Sequence, residues 1–89
     1  MAQEFTQALT TEWVELADYI TVDGDTTYYI QNRGADVLLL LEADDTPADN
    51  ETDGVLVKPF EMVSFKEGDQ YLYMRAYNSS CTINVSSEG

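Results

Sequence analysis

Between residues 70 and 77 the side chains alternate without a break. Tyr71, Tyr73, Arg75 and Tyr77 fall on one parity, and Leu72, Met74 and Ala76 on the other. A period of two is the pleat of a β-strand with one apolar face, and no helix sits still on such a pattern. Shorter runs rich in β-formers recur at 12–16, 19–22, 26–32, 55–57, 61–65 and 81–85. Turn residues separate them: Asp23-Gly24-Asp25, Asn32-Arg33-Gly34-Ala35, Lys58-Pro59, Lys66-Glu67-Gly68-Asp69 and Asn78-Ser79-Ser80. Gly24 suits the second of these segments to a hairpin ending at the first turn. The spacing predicts an all-β fold, a small antiparallel β-sandwich or jelly-roll-like barrel of about seven to eight strands. The only helical expectation is a single turn within residues 2–9.

One run departs from alternation. Residues 37–41 read Val-Leu-Leu-Leu-Leu, apolar at both parities. A strand of that kind is covered on both sides, and the expected cover for its second face is the N-terminal segment or a neighbouring subunit. The division of the chain follows: an arm over 1–11 that reaches an interface, a β-sandwich over 12–86, and a tail over 87–89.

Four Lys+Arg stand against seventeen Asp+Glu, a net charge of −13 on 89 residues, while 44% of the residues are hydrophobic. The apolar content separates the chain from a disordered acidic tail. The charge argues against binding nucleic acid or anionic membranes, since phosphates would be repelled. A chain this short builds one modest core, which association with copies of itself or with a larger surface would stabilise. Cys81 is the single cysteine, so no disulfide closes within the chain, and a reducing compartment during folding is expected. The run 81–85 places the Cys81 thiol inward as a small hydrophobe. The N-terminus has neither the basic nor the apolar region of a signal peptide, and no apolar run is long enough to cross a bilayer.

The loop 43–54 is acidic and long, and loops of that length carry function or move. Asp49, Glu51, Asp53 and Gly54 match the first half of an EF-hand loop, but Phe60 stands where the bidentate glutamate belongs. A solvated loop is therefore the expectation, with an irregular calcium site involving Asp44, Asp45, Asp23 or Asp25 as its rival. The chain has no histidine, which removes His-dependent triads and His-based zinc sites. Carboxylate pairs for glycoside hydrolysis are too many to single one out, and a small sandwich has little room for a cleft. The expectation is a non-enzyme with no catalytic, cofactor-binding or metal residues. Asn50, Asn78 and Asn84 begin glycosylation sequons, and with no secretion expected they signify only turn-prone composition. Residues suited to an interface are Trp13, Leu39, Leu41, Tyr71, Tyr73, Arg75 and Tyr77, with Arg75 pairing a carboxylate on a neighbour.

Three stretches resemble small virion proteins of tailed bacteriophages, of the head decoration or cement kind. They are Tyr29-Ile30-Gln31-Asn32-Arg33-Gly34, Pro59-x-Glu61-x-Val63-x-Phe65 and Leu72-Tyr73-Met74-Arg75-Ala76, with Glu12-Trp13-Val14-Glu15-Leu16 as a similar opening. In that pattern a Pro-Gly-Glu turn is usual. Phe60 replaces its glycine here, which predicts a turn of another type. The resemblance implies a non-enzymatic β-sandwich in the virion that packs on the major capsid protein or another virion protein. A homo-oligomer is expected, a trimer for preference. The alternatives are an acidic DNA mimic that inhibits a nucleic-acid-binding host protein, and a tail-associated adhesion module using the tyrosines and a loop cation.

Overall fold

A computed structural model of the chain describes residues 4–66, 68 and 70–87. The strands are β1 Glu4–Leu9, β2 Val14–Glu15, β3 Thr27–Asn32, β4 Leu38–Ala43, β5 Val55–Val57, β6 Met62–Lys66, β7 Tyr71–Ala76 and β8 Cys81–Ser87. They form two four-stranded antiparallel sheets, sheet A in the order β1-β8-β3-β6 and sheet B in the order β2-β7-β4-β5. The fold is a small β-sandwich, as the alternation predicts. Every connection except β4 to β5 carries the chain from one sheet to the other, which brings the first and last strands together as neighbours.

The core lies between the sheets. Leu38, Leu40, Leu72, Met74 and Ala76 come from sheet B, and Tyr28, Ile30, Phe65, Ile83 and Val85 from sheet A, all buried. Each large apolar side chain removed from water there contributes about 1.5–3 kcal/mol before the entropy of ordering is counted. Cys81 also packs in this core, and burial, with the nearby Asp36 charge, pushes its thiol up to about 11.

Three expectations need correction. Part of the stretch expected to be an arm, with at most a helical turn, is strand β1. Phe5 and Leu9 alternate with exposed Glu4, Thr6 and Ala8, so the segment suits the free edge of β8, paired from Glu4↔Ser86 to Leu9↔Cys81. Residues 1–3 of that arm lie outside the described residues. The expected strand at 19–22 does not form. The amides of Tyr19 and Ile20 both donate to the Leu16 carbonyl, at 3.1 and 3.3 Å, closing the 3-10 turn Leu16–Asp18. The turn after it is present, with Thr26 N–H on the Asp23 carbonyl and Asp25 N–H on the Asp23 carboxylate, but it leads out of coil and makes no hairpin. The third correction shortens the tail, since Ser87 belongs to β8, and residues 88–89 lie outside the described residues. So do Glu67 and Asp69 of the expected 66–69 turn.

The Asn-Arg-Gly turn has a structural cause. Asn32 is wholly buried, and its amide donates to the Asp36 and Val57 carbonyls at 2.7 and 2.9 Å while its Oδ1 accepts Gly34 N–H. A Cβ on Gly34 would stand 2.7 Å from Thr82 N and 2.8 Å from Cys81 Cα, so only glycine lets the turn pass the start of β8. Asp36 pins the same end of the sandwich, taking the amides of Val37, Asn78 and Ser79, each at 2.8 Å. Desolvation pushes its carboxyl up, and these bonds with the Asn78 side chain outweigh it, holding Asp36 below the ordinary 3.8.

Candidate functional site

The second face of β4 is covered from within the chain. Trp13, Leu39 and Tyr73 form a small buried cluster on the outer side of sheet B, with Leu41, Ala43 and Tyr77 packed against it. The loop 43–54 lies over the cluster and is held from beneath. Trp13 Nε1 donates to the Ala48 carbonyl at 3.0 Å, and Arg75 Nη1 to the Asp49 carbonyl at 2.6 Å. The Arg75 guanidinium also lies 5.6 Å from the Trp13 ring centroid, within cation–π range.

This arrangement places the residues expected at an interface. Trp13, Leu39, Tyr73 and Arg75 are brought together but buried under their own loop. Arg75 spends its donors on the carbonyls of Ala76, Tyr77 and Asp49 rather than on a neighbour's carboxylate. Tyr71 is exposed, and Leu41 and Tyr77 are half-buried. The tyrosine stripe is thus split by burial of its centre. The second face, whose cover sequence reasoning assigned to the N-terminal segment or a partner, is covered by Trp13 from the N-terminal part of the chain together with the acidic loop, whose Asp44, Asp45, Asp49 and Asp53 side chains remain exposed. A backbone turn is all the loop needs for this task. Gly54 lets it enter β5 at a φ of 144°, where a Cβ would run into the Leu40 carbonyl. Among the described residues no three Asp, Glu or Cys side chains converge in a way that could hold a metal ion.

Sheet A carries the opposite surface. Its outward side chains, read across the register, run Glu4, Ser86, Tyr29 and Ser64, then Thr6, Asn84, Gln31 and Met62. Ala8 with Thr82, and Thr27 with Lys66, flank these rows. Among these side chains Glu4, at one corner, is the single carboxylate. The exposed cations gather at the other edge. Lys66 ends β6, Lys58 stands in the turn before it, and Arg33 Nε donates to the Gln31 side chain beside Met62. Sequence reading missed this face because its residues are ordinary Thr, Ser, Asn and Gln. The signal was available in the odd positions of 27–33 and the even positions of 62–66 and 82–86, which hold no acid.

A cleft of about 450 Å³ opens where the sheets part along β5 and β6, lined by Leu40, Val55, Val63, Phe65 and Leu72 with Glu42, Ser64 and Gln70 at its rim. One carboxylate on an apolar wall supplies no acid–base pair, and the cleft suits apolar burial better than chemistry. No described helix is long and apolar enough to cross a membrane. Comparison with family models, with curated proteins and with solved structures finds no match to this chain.

Proposed function

We propose that the chain is a non-enzymatic virion structural protein of a tailed bacteriophage, a capsid decoration or cement subunit that works as a homo-oligomer. It lies against the major capsid protein or another virion protein through the outer face of sheet A. The carboxylate-bearing loops and sheet B then face solvent, where negative charge keeps a crowded particle surface soluble. The observation that carries the reading is the segregation of charge. A chain of −13 keeps one whole sheet face almost free of acid and adds Lys58, Lys66 and Arg33 at its edge. Interfaces are depleted in Asp and Glu, and this face holds one acid, Glu4, with Tyr29 and Met62 among its polar side chains. The motif resemblance supplies the class of particle.

The DNA-mimic reading requires rows of carboxylates at phosphate-like spacing. Here the acids stand mainly in the loops at 23–25, 44–53 and the strand ends, which favours docking over mimicry. Adhesion through stacked tyrosines is weakened by the burial of Tyr73.

Cosedimentation with purified heads lacking this chain, from the phage that encodes it, tests the proposal. The wild type is expected to pellet with the heads, and a chain carrying Tyr29→Glu and Gln31→Glu to stay in the supernatant. A wild type that never pellets sinks the virion reading. Equal pelleting of the two chains sinks the assigned face.

A further inference from the structure

The turn between β5 and β6 contains the one non-glycine residue with positive φ among those described, Phe60 at 69°. Glu61 N–H closes the turn on the Lys58 carbonyl at 3.0 Å, with Pro59 and Phe60 as its central pair. That is the geometry of a type II turn, whose third position calls for glycine. The sequence predicted another turn type because the glycine is missing. The turn instead keeps its shape and forces phenylalanine into it. Phe60 N–H is tied to the Asn32 carbonyl at 2.6 Å and Gln31 Nε2 to the Phe60 carbonyl at 3.2 Å, so the frame dictates the backbone. The backbone bonds hold the residue there and its ring adds no packing, for the Phe60 side chain is 73% exposed. Strain kept in a turn beside an exposed aromatic points outward, to a contact.

The surroundings say what kind. Met62, 59% exposed, adjoins the turn and lies opposite Gln31, which also holds Phe60, and Val55, 56% exposed, stands farther along the seam in the cleft. Both β5 and β6 are edge strands, so backbone donors and acceptors are open on the same side. Around this apolar seam stand Arg33, Lys58 and Lys66, against the acids Glu61 and Glu42. The partner surface is therefore acidic and ordered, and the chain itself provides one in the loop 43–54, clamped down by Trp13 and Arg75.

We infer that Phe60 anchors a head-to-tail contact in which the β5–β6 seam of one copy docks on the acidic loop side of the next. A twofold contact of seam with seam would set cation against cation. The heterologous arrangement pairs opposite charges, and such contacts form rings where the rotation closes and open filaments where it does not. The inference rests on the homo-oligomer half of the reading above. Its test contains no phage particle, so the two can fail separately.

Sedimentation equilibrium from micromolar to millimolar protein at about 0.15 M salt, where the mutual repulsion of acidic subunits is screened, reads the contact. Wild type is expected to gain mass with concentration. Phe60→Gly and Phe60→Asn, both suited to positive φ, are expected to weaken association about tenfold or more while melting no lower than wild type. Lys58→Glu with Lys66→Glu is expected to dissociate alone, and to regain association when mixed with a chain carrying Asp49→Lys and Asp53→Lys. A monomeric wild type overturns the inference. So does a Phe60→Gly chain that assembles like wild type, or a charge-reversed mixture that stays apart.

Discussion

Replacing Trp13 by phenylalanine isolates the clasp that holds the acidic loop. The change removes one hydrogen bond, from Nε1 to the Ala48 carbonyl at 3.0 Å, and weakens the stacking of the Arg75 guanidinium at 5.6 Å. It also leaves a void where the larger ring packed on Leu39 and Tyr73. A neutral hydrogen bond contributes about 1 kcal/mol and a desolvated cation–π contact about 2 kcal/mol, about half of which phenylalanine retains. The expected loss is about 2 kcal/mol, which lowers the melting temperature of a domain this size by about 8–16 °C. The effect has a location as well as a size. The Ala48 carbonyl also accepts Glu51 N–H at 2.9 Å, so hydrogen exchange at Glu51 should rise first, ahead of amides in β8. Arg75→Met in the same background should add less than it costs alone, because both residues hold one loop. A loss under about 0.5 kcal/mol, with loop exchange unchanged, would refute the claim that the loop is clamped and that β4 owes part of its second cover to it.

Gly34→Ala should cost about 2–3 kcal/mol by denaturant unfolding, since the new methyl meets the backbone of Cys81 and Thr82 and not a side chain that can swing away. Asp36 is held below its ordinary value, so its contribution is full above about 3.8 and is lost as pH falls through the lower folded value. The stability gap between wild type and Asp36→Asn, measured by thermal melts across pH, should accordingly close on acidification below that point. The Cys81 thiol, raised to about 11, should resist alkylation at pH 8 in the folded chain and react at the rate of unfolding, and fast labelling of native protein would contradict its burial.

The sequence by itself determined the class of fold and most of the strands. Alternation at 70–77 states which side of β7 faces the main core, that of Leu72, Met74 and Ala76, but not that Tyr73 and Arg75 on the other parity are buried too, under the loop. The doubly apolar run at 37–41 stated correctly that β4 has two covered faces. The loop's share in covering the second face was not legible, because loop 43–54 shows only its acidity in sequence, while its cover is made with backbone carbonyls that every residue possesses. The same physics hid β1. Glu4–Leu9 has an alternation too weak to outrank an arm until the free edge of β8 supplies its hydrogen bonds. The neutral face of sheet A comes from four strands far apart in the chain, so its lack of acid exists only once registration sets them side by side. Phe60 is the reverse case. Local preference spoke for a different turn, and bonds to Gln31 and Asn32, distant in sequence, decided otherwise.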